Sequence, residues 1–83
     1  MESTVRTPQQ LSQALRAERV QQQMTQVEAA RNVGLLPKTI SRLEQKSEGS
    51  SIDSLFRLLS ALGLEIVIRN KAAPGPDVSR AEW

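Results

Sequence analysis

The 83-residue chain contains no cysteine and no histidine. The first absence removes disulfides as a source of stability. The two together exclude a Cys/His zinc site, and the carboxylates show no metal-ligand spacing. Thiol and imidazole, the usual nucleophile and general base, are both missing. Gly49, Gly63 and Gly75 stand alone, so no glycine-rich loop can cradle a phosphate. Asp53 reads as a helix cap rather than as a catalytic acid. These absences predict a protein that is not an enzyme, with no cofactor and no small-molecule ligand. No apolar run approaches a membrane span. The opening MESTVRTPQQ is polar and lacks the apolar stretch of a signal peptide, so a cytoplasmic protein is expected.

The charge that is present is modest and unevenly placed. Eleven basic and nine acidic residues leave +2. Residues 1–46 carry +3, through Arg6, Arg16, Arg19, Arg31, Lys38, Arg42 and Lys46 against four glutamates. The remainder carries −1. A net charge of +2 is too small to mark a nucleic-acid partner by itself, and what distinguishes the chain is that its basic bias lies in the first half. One domain fits in this length, and its core must be small. Without disulfide or metal, a second copy of the chain is the obvious further source of stability.

Punctuation along the chain divides it into helices. Residues 1–6 read as a mobile arm. Thr7 is a good N-cap, Pro8 suits the first helical position, and Gln10 completes a capping-box pattern, which predicts a helix over 8–22. Thr25 and Glu28 form a second capping box, opening a helix that Gly34 ends. Val27, Ala30 and Val33 are expected to face inward. Leu35 and Leu36 make a turn, and Pro37 starts a third helix reaching 46. A rotation of about 100° per residue puts Leu36, Ile40 and Leu43 on its dry face and Lys38, Ser41, Arg42 and Gln45 on its polar face. Ser50 or Ser51 caps a fourth, more apolar helix that Gly63 stops. The expected core is Leu15, Ile40, Leu43, Leu55, Leu58, Leu59 and Leu62.

Beyond Gly63, residues 64–69 are short and β-branched and read as a strand. A lone strand cannot satisfy its backbone groups. Pairing with the same strand of a second chain, through Leu64, Ile66, Val67 and Ile68, satisfies them and predicts a homodimer. The alternative is packing along the fourth helix within one chain. Residues 70–83, rich in proline, glycine and charge, are expected to be a disordered tail. The predicted organisation is therefore an arm (1–6), an all-α four-helix helix-turn-helix domain with one short strand (7–69) and a tail (70–83).

Two short helices joined across Gly34, with small residues between them and a polar face on the second, meet the requirements of a helix-turn-helix. Thr25-Gln26, Ala29-Ala30, Gly34-Leu35, Ile40-Ser41 and Glu44 resemble the phage-repressor-like helix-turn-helix pattern T-Q-x-x-L-A-x-x-x-G-h-x-x-x-x-I-S-x-x-E. The resemblance implies that Gln26 contacts phosphate. It implies that Pro37, Lys38, Thr39, Ser41, Arg42 and Gln45 lie along the DNA, and that Arg19 pairs with Glu44 to join the first helix to the third. Two positions depart from the pattern. Ala29 stands where leucine is usual. Leu36-Pro37 stand where the family starts its reading helix with polar residues, which shifts base reading toward Lys38, Ser41 and Arg42.

Four further features resemble the HipB-type antitoxins of kinase toxin–antitoxin modules. They are Thr7-Pro8-Gln9-Gln10-Leu11, the run Ser54 to Leu62, the single strand after it, and a tail ending in Glu82-Trp83. This resemblance implies a repressor that binds an inverted-repeat operator as a homodimer, regulates its own operon and neutralises a HipA-like kinase, with Trp83 as an anchor on the toxin. Two other readings stay open from the residues alone. One is a stand-alone phage-type repressor with a dispensable tail. The other is a helix-turn-helix used only as a protein-interaction adaptor.

Overall fold

A computed structural model describes residues 2–71, and among these the regular structure is entirely helical. Four α-helices follow one another: α1 (Pro8–Gln21), α2 (Gln26–Val33), α3 (Pro37–Gln45) and α4 (Ile52–Leu62), with a 3₁₀ turn at Ser47–Gly49. Each boundary follows from local chemistry. Thr7 Oγ1 accepts the Gln10 N–H at 3.0 Å, and Pro8 occupies the first turn of α1. Gln10 departs slightly from the expected box, since its Oε1 accepts from the Arg6 N–H at 2.6 Å rather than from the cap residue itself. Ser51 caps α4 through the Ser54 N–H.

Helix α3 packs on both α1 and α2, and α4 packs chiefly on α2. The buried centre is Leu15, Ala29, Ala30, Ile40, Leu43, Leu58, Leu59 and Leu62. Alanines 29 and 30 are fully enclosed, and their small side chains bring the backbone of α2 close to its neighbours. Leu55, expected inside, is half-buried and packs against this cluster with Leu11, Met24, Leu35 and Leu64. Two apolar expectations are overturned. Val27 lies on the outside of α2, whose short inward face is filled by Ala29 and Ala30. Leu36 is exposed because the turn seats Leu35, not Leu36, against the core. Ile52 and Phe56, one turn apart on α4, are also exposed.

The link from α1 to α2 is made without glycine. The Met24 N–H bonds back to Arg19 O at 3.1 Å, and Gln23 takes up φ 59° to allow it. A left-handed conformation costs an L-residue about 1–2 kcal/mol, part of which glycine repays through its freer unfolded state. Gln23→Gly is therefore expected to raise stability by about 0.5–1 kcal/mol, read as an increase in the urea midpoint at unchanged slope.

The strand expected over 64–69 is not present in the single chain. The Leu64 N–H closes α4 by bonding to Leu59 O at 2.8 Å, and its side chain joins the core's edge. Residues 65–71 then leave with neither helix nor ladder, and Ile66, Val67 and Ile68 stand exposed. The physical reason is the one that made the strand depend on a dimer: one chain supplies no second strand. The expected tail, with Trp83, lies outside the described residues from 72 onward.

Candidate DNA-binding interface

The region from Thr25 to Gln45 is a helix, a tight turn and a second helix. Thr25 Oγ1 accepts the Glu28 N–H at 3.0 Å, and Glu28 Oε1 accepts the Thr25 N–H at 2.8 Å. Two of the four orphan amides at the start of α2 are thus satisfied. The backbone and hydroxyl hydrogen bonds from Thr25 hold the Glu28 carboxyl below its usual range. A carboxylate whose folded-state pKa is depressed stabilises the protein above its unfolded pKa, and that stabilisation is lost as pH falls through the folded value. The deficit in melting temperature of Glu28→Ala relative to the parent is therefore expected to be full at neutral pH and to narrow below about pH 4. Equal deficits at both pH values would contradict this account of the cap.

Gly34 ends α2 at φ 72° and ψ 29°, a left-handed cap that turns the chain toward α3. The guanidinium of Arg57 reaches across from α4, with Nη1 donating to Val33 O at 3.1 Å and Nε to Asp53 Oδ2 at 3.0 Å. A Cβ at residue 34 would approach that Nη1 to 3.3 Å. The turn is thus gripped from outside by α4.

A buried polar cluster fixes α3 against α1. Arg19 Nε and Nη2 donate to the two oxygens of Glu44 at 2.6 and 3.0 Å, a bidentate pair, and Arg19 Nη1 donates to Met24 O at 2.8 Å. The Arg19 and Glu44 side chains are 12% and 1% exposed. The hydrogen bond to Glu44 raises the pKa of Arg19 further, against the opposing effect of burial, so the guanidinium stays charged. The Arg19–Glu44 pair expected from the sequence is present. A third member was not foreseen: Gln26 Nε2 donates to Glu44 Oε1 at 3.2 Å. That bond uses one of the two amide hydrogens of Gln26 and leaves the other available to a phosphate. A second clasp was also missed. The Ser47 N–H donates to Ser12 Oγ at 3.0 Å, and Ser47 Oγ donates to Pro8 O at 2.8 Å. A serine among leucines on the inner face of α1 was the available signal for it.

The cluster orients the outer face of α3. Ile40, Leu43 and Glu44 are buried, while Pro37, Lys38, Arg42 and Gln45 are exposed and Thr39 and Ser41 are half-exposed. Lys38, Ser41, Arg42 and Gln45 recur at helical spacing on one side of the helix. Among the described residues neither Lys38 nor Arg42 belongs to an ion pair. The result is a short, rigidly held helix whose free surface carries two cations, hydroxyls and an amide, the groups that bind phosphate and base edges.

Fold and interface together define a helix-turn-helix protein. The sequence pattern of the helix-turn-helix family matches residues 15–69, and the chain belongs to that family. It is similar to the antitoxin HipB of Escherichia coli O6:H1 (strain CFT073), at 29% identity over 80 residues, spanning 93% of this chain and 85% of the relative. A solved complex of a HipB variant with an O2 20mer superposes with a TM-score of 0.83, at 26% identity, over 87% of this chain and 100% of the other. A HipA–HipB–O2–O3 complex contains a chain with a TM-score of 0.82, at 27% identity, over 86% of this chain and 100% of the other.

Proposed function

We propose that the chain is a sequence-specific, double-stranded-DNA-binding repressor that serves as the antitoxin of a kinase toxin–antitoxin module. The observation that carries this reading is the polar outer face of α3, clamped by the Arg19–Glu44–Gln26 cluster. The similarity to HipB over nearly the whole chain supports it. In this reading Lys38, Thr39, Ser41 and Arg42 reach base edges and phosphates in the major groove. Gln26, Pro37 and Gln45 contact or flank the backbone. Two chains pair through Leu64, Ile66, Val67 and Ile68, each segment supplying the strand partner the other lacks. A two-fold dimer sets its reading helices about 34 Å apart and so requires an inverted repeat.

The operator lies at the protein's own promoter, so binding regulates its own synthesis. The toxin partner is a HipA-like serine/threonine kinase, a reading supported by the HipA–HipB complex among the similar structures. Trp83 is the proposed anchor on it. A protein so engaged works in the cytoplasm, on the nucleoid.

The test is affinity capture from lysate of the native host, with the intact chain and with a version ending at residue 71. A kinase-sized protein retained by the intact chain and lost by the shortened one supports the antitoxin reading and the Trp83 anchor. Capture of DNA alone by both makes the protein a stand-alone repressor. Capture of protein with no salt-sensitive DNA binding makes it an adaptor.

A further inference from the structure

The exposed apolar side chains of Ile66, Val67 and Ile68 are accounted for by the proposed dimer. Leu36 is not. It is the N-cap of α3 and is 58% exposed, although its spacing places it on the side of Ile40 and Leu43. This position rewards serine, threonine, aspartate or asparagine, whose oxygen accepts an orphan amide. Leucine offers no acceptor, and no side-chain hydrogen bond caps α3. The core has no use for it either, because Leu35 fills the adjoining place. Helix α3 thus forgoes a cap and leaves a large apolar group in water at the end that leads into the major groove. Pro37 follows directly, and its ring fixes φ near −65°, which stiffens the step that carries Leu36.

A leucine cannot exchange hydrogen bonds with a base edge. The feature of the major groove that it can recognise is the C5-methyl group of thymine. We infer that Leu36 is a specificity-determining residue of the interface and reads a thymine methyl in each operator half-site. The inference rests on the DNA-binding reading above. It assigns to the start of α3 an apolar contact in place of the polar base reading usual there, beside the polar contacts of Lys38 and Arg42.

The experiment begins with selection of bound duplexes from a random library by the intact protein. In the enriched half-site each thymine is then replaced in turn by uracil, which differs only in lacking the methyl. Affinities are measured for the parent and for Leu36→Ala, with thermal unfolding confirming that the exposed substitution leaves the fold intact. One thymine is expected at which loss of the methyl weakens the parent about fourfold per half-site, the worth of one buried methyl-sized group. Both half-sites together give about fifteenfold. In Leu36→Ala that penalty is expected to vanish at the same position, while the penalties of base-pair changes opposite Lys38 and Arg42 persist. A parent indifferent to every uracil replacement, or an alanine variant with the parent's penalty, overturns the inference and leaves DNA binding standing. A selection that enriches nothing overturns the DNA-binding reading itself, and this inference with it.

Discussion

Arg19→Ala is expected to cost about 3–5 kcal/mol, enough to leave much of the protein unfolded at ordinary temperature. The Glu44 carboxylate is 1% exposed, and Arg19 supplies its two shortest hydrogen bonds. Without the guanidinium the carboxylate keeps only the weaker bond from Gln26 in surroundings that exclude water. A domain of this size has about 0.05–0.15 kcal/mol of stability per residue, so the loss is comparable to the whole. The intact pair is itself worth little, because its attraction roughly offsets the desolvation of both charges. Hence Arg19→Met combined with Glu44→Leu is expected to recover most of the loss while single replacements do not. Urea unfolding of the parent, Arg19→Met, Glu44→Leu and the double variant checks this. Equal stability of the single and double variants would mean that the cluster does not couple α1 to α3. The double variant would also free Gln26, so its DNA affinity should stay below the parent's even where its stability recovers.

Lys38→Ala and Arg42→Ala are each expected to weaken operator binding by about 1–3 kcal/mol, and the double variant by about 2–6 kcal/mol if their contributions add. Both side chains are exposed and neither holds the fold together, so melting temperatures should stay within a few degrees of the parent's. The two kinds of contact separate by their salt dependence. A lost phosphate contact lowers affinity on all sequences and reduces the slope of log affinity against log salt by about one. A lost base contact relaxes preference at one position and leaves the slope unchanged. Electrophoretic or anisotropy titrations at several salt concentrations check both. Parent-like affinity of the double variant would place the reading surface elsewhere than on α3.

The helices were legible because each has local punctuation. Thr7-Pro8, the Thr25–Glu28 box, Pro37 and Ser51 mark the starts, and Gly34 and Gly63 mark two of the ends. The polar face of α3 and the Arg19–Glu44 pair followed from spacing and family resemblance. The two errors of burial share one cause: periodicity states which residues share a side, not which of them the packing encloses. Periodicity puts Val27 and Leu36 on the inward side, yet Ala29, Ala30 and Leu35 fill the available interior and both residues stand exposed. Gln26 bonding to Glu44 depends on how α2 and α3 meet, and no spacing rule within one helix reports that. The segment 64–69 has strand-like composition, but a strand is a property of a pair, and a single chain holds one member.

Quantitative footprinting on the DNA upstream of the protein's own gene decides whether the chain binds duplex DNA through α3 as a two-fold dimer. The expected result is protection of an inverted repeat by two chains, with half-site centres about 34 Å apart, affinity falling steeply with salt, and protection abolished by the Lys38 and Arg42 double variant. Protection of a single unrepeated site would rule out the dimer, and the absence of salt-sensitive protection on any duplex would rule out DNA binding through α3.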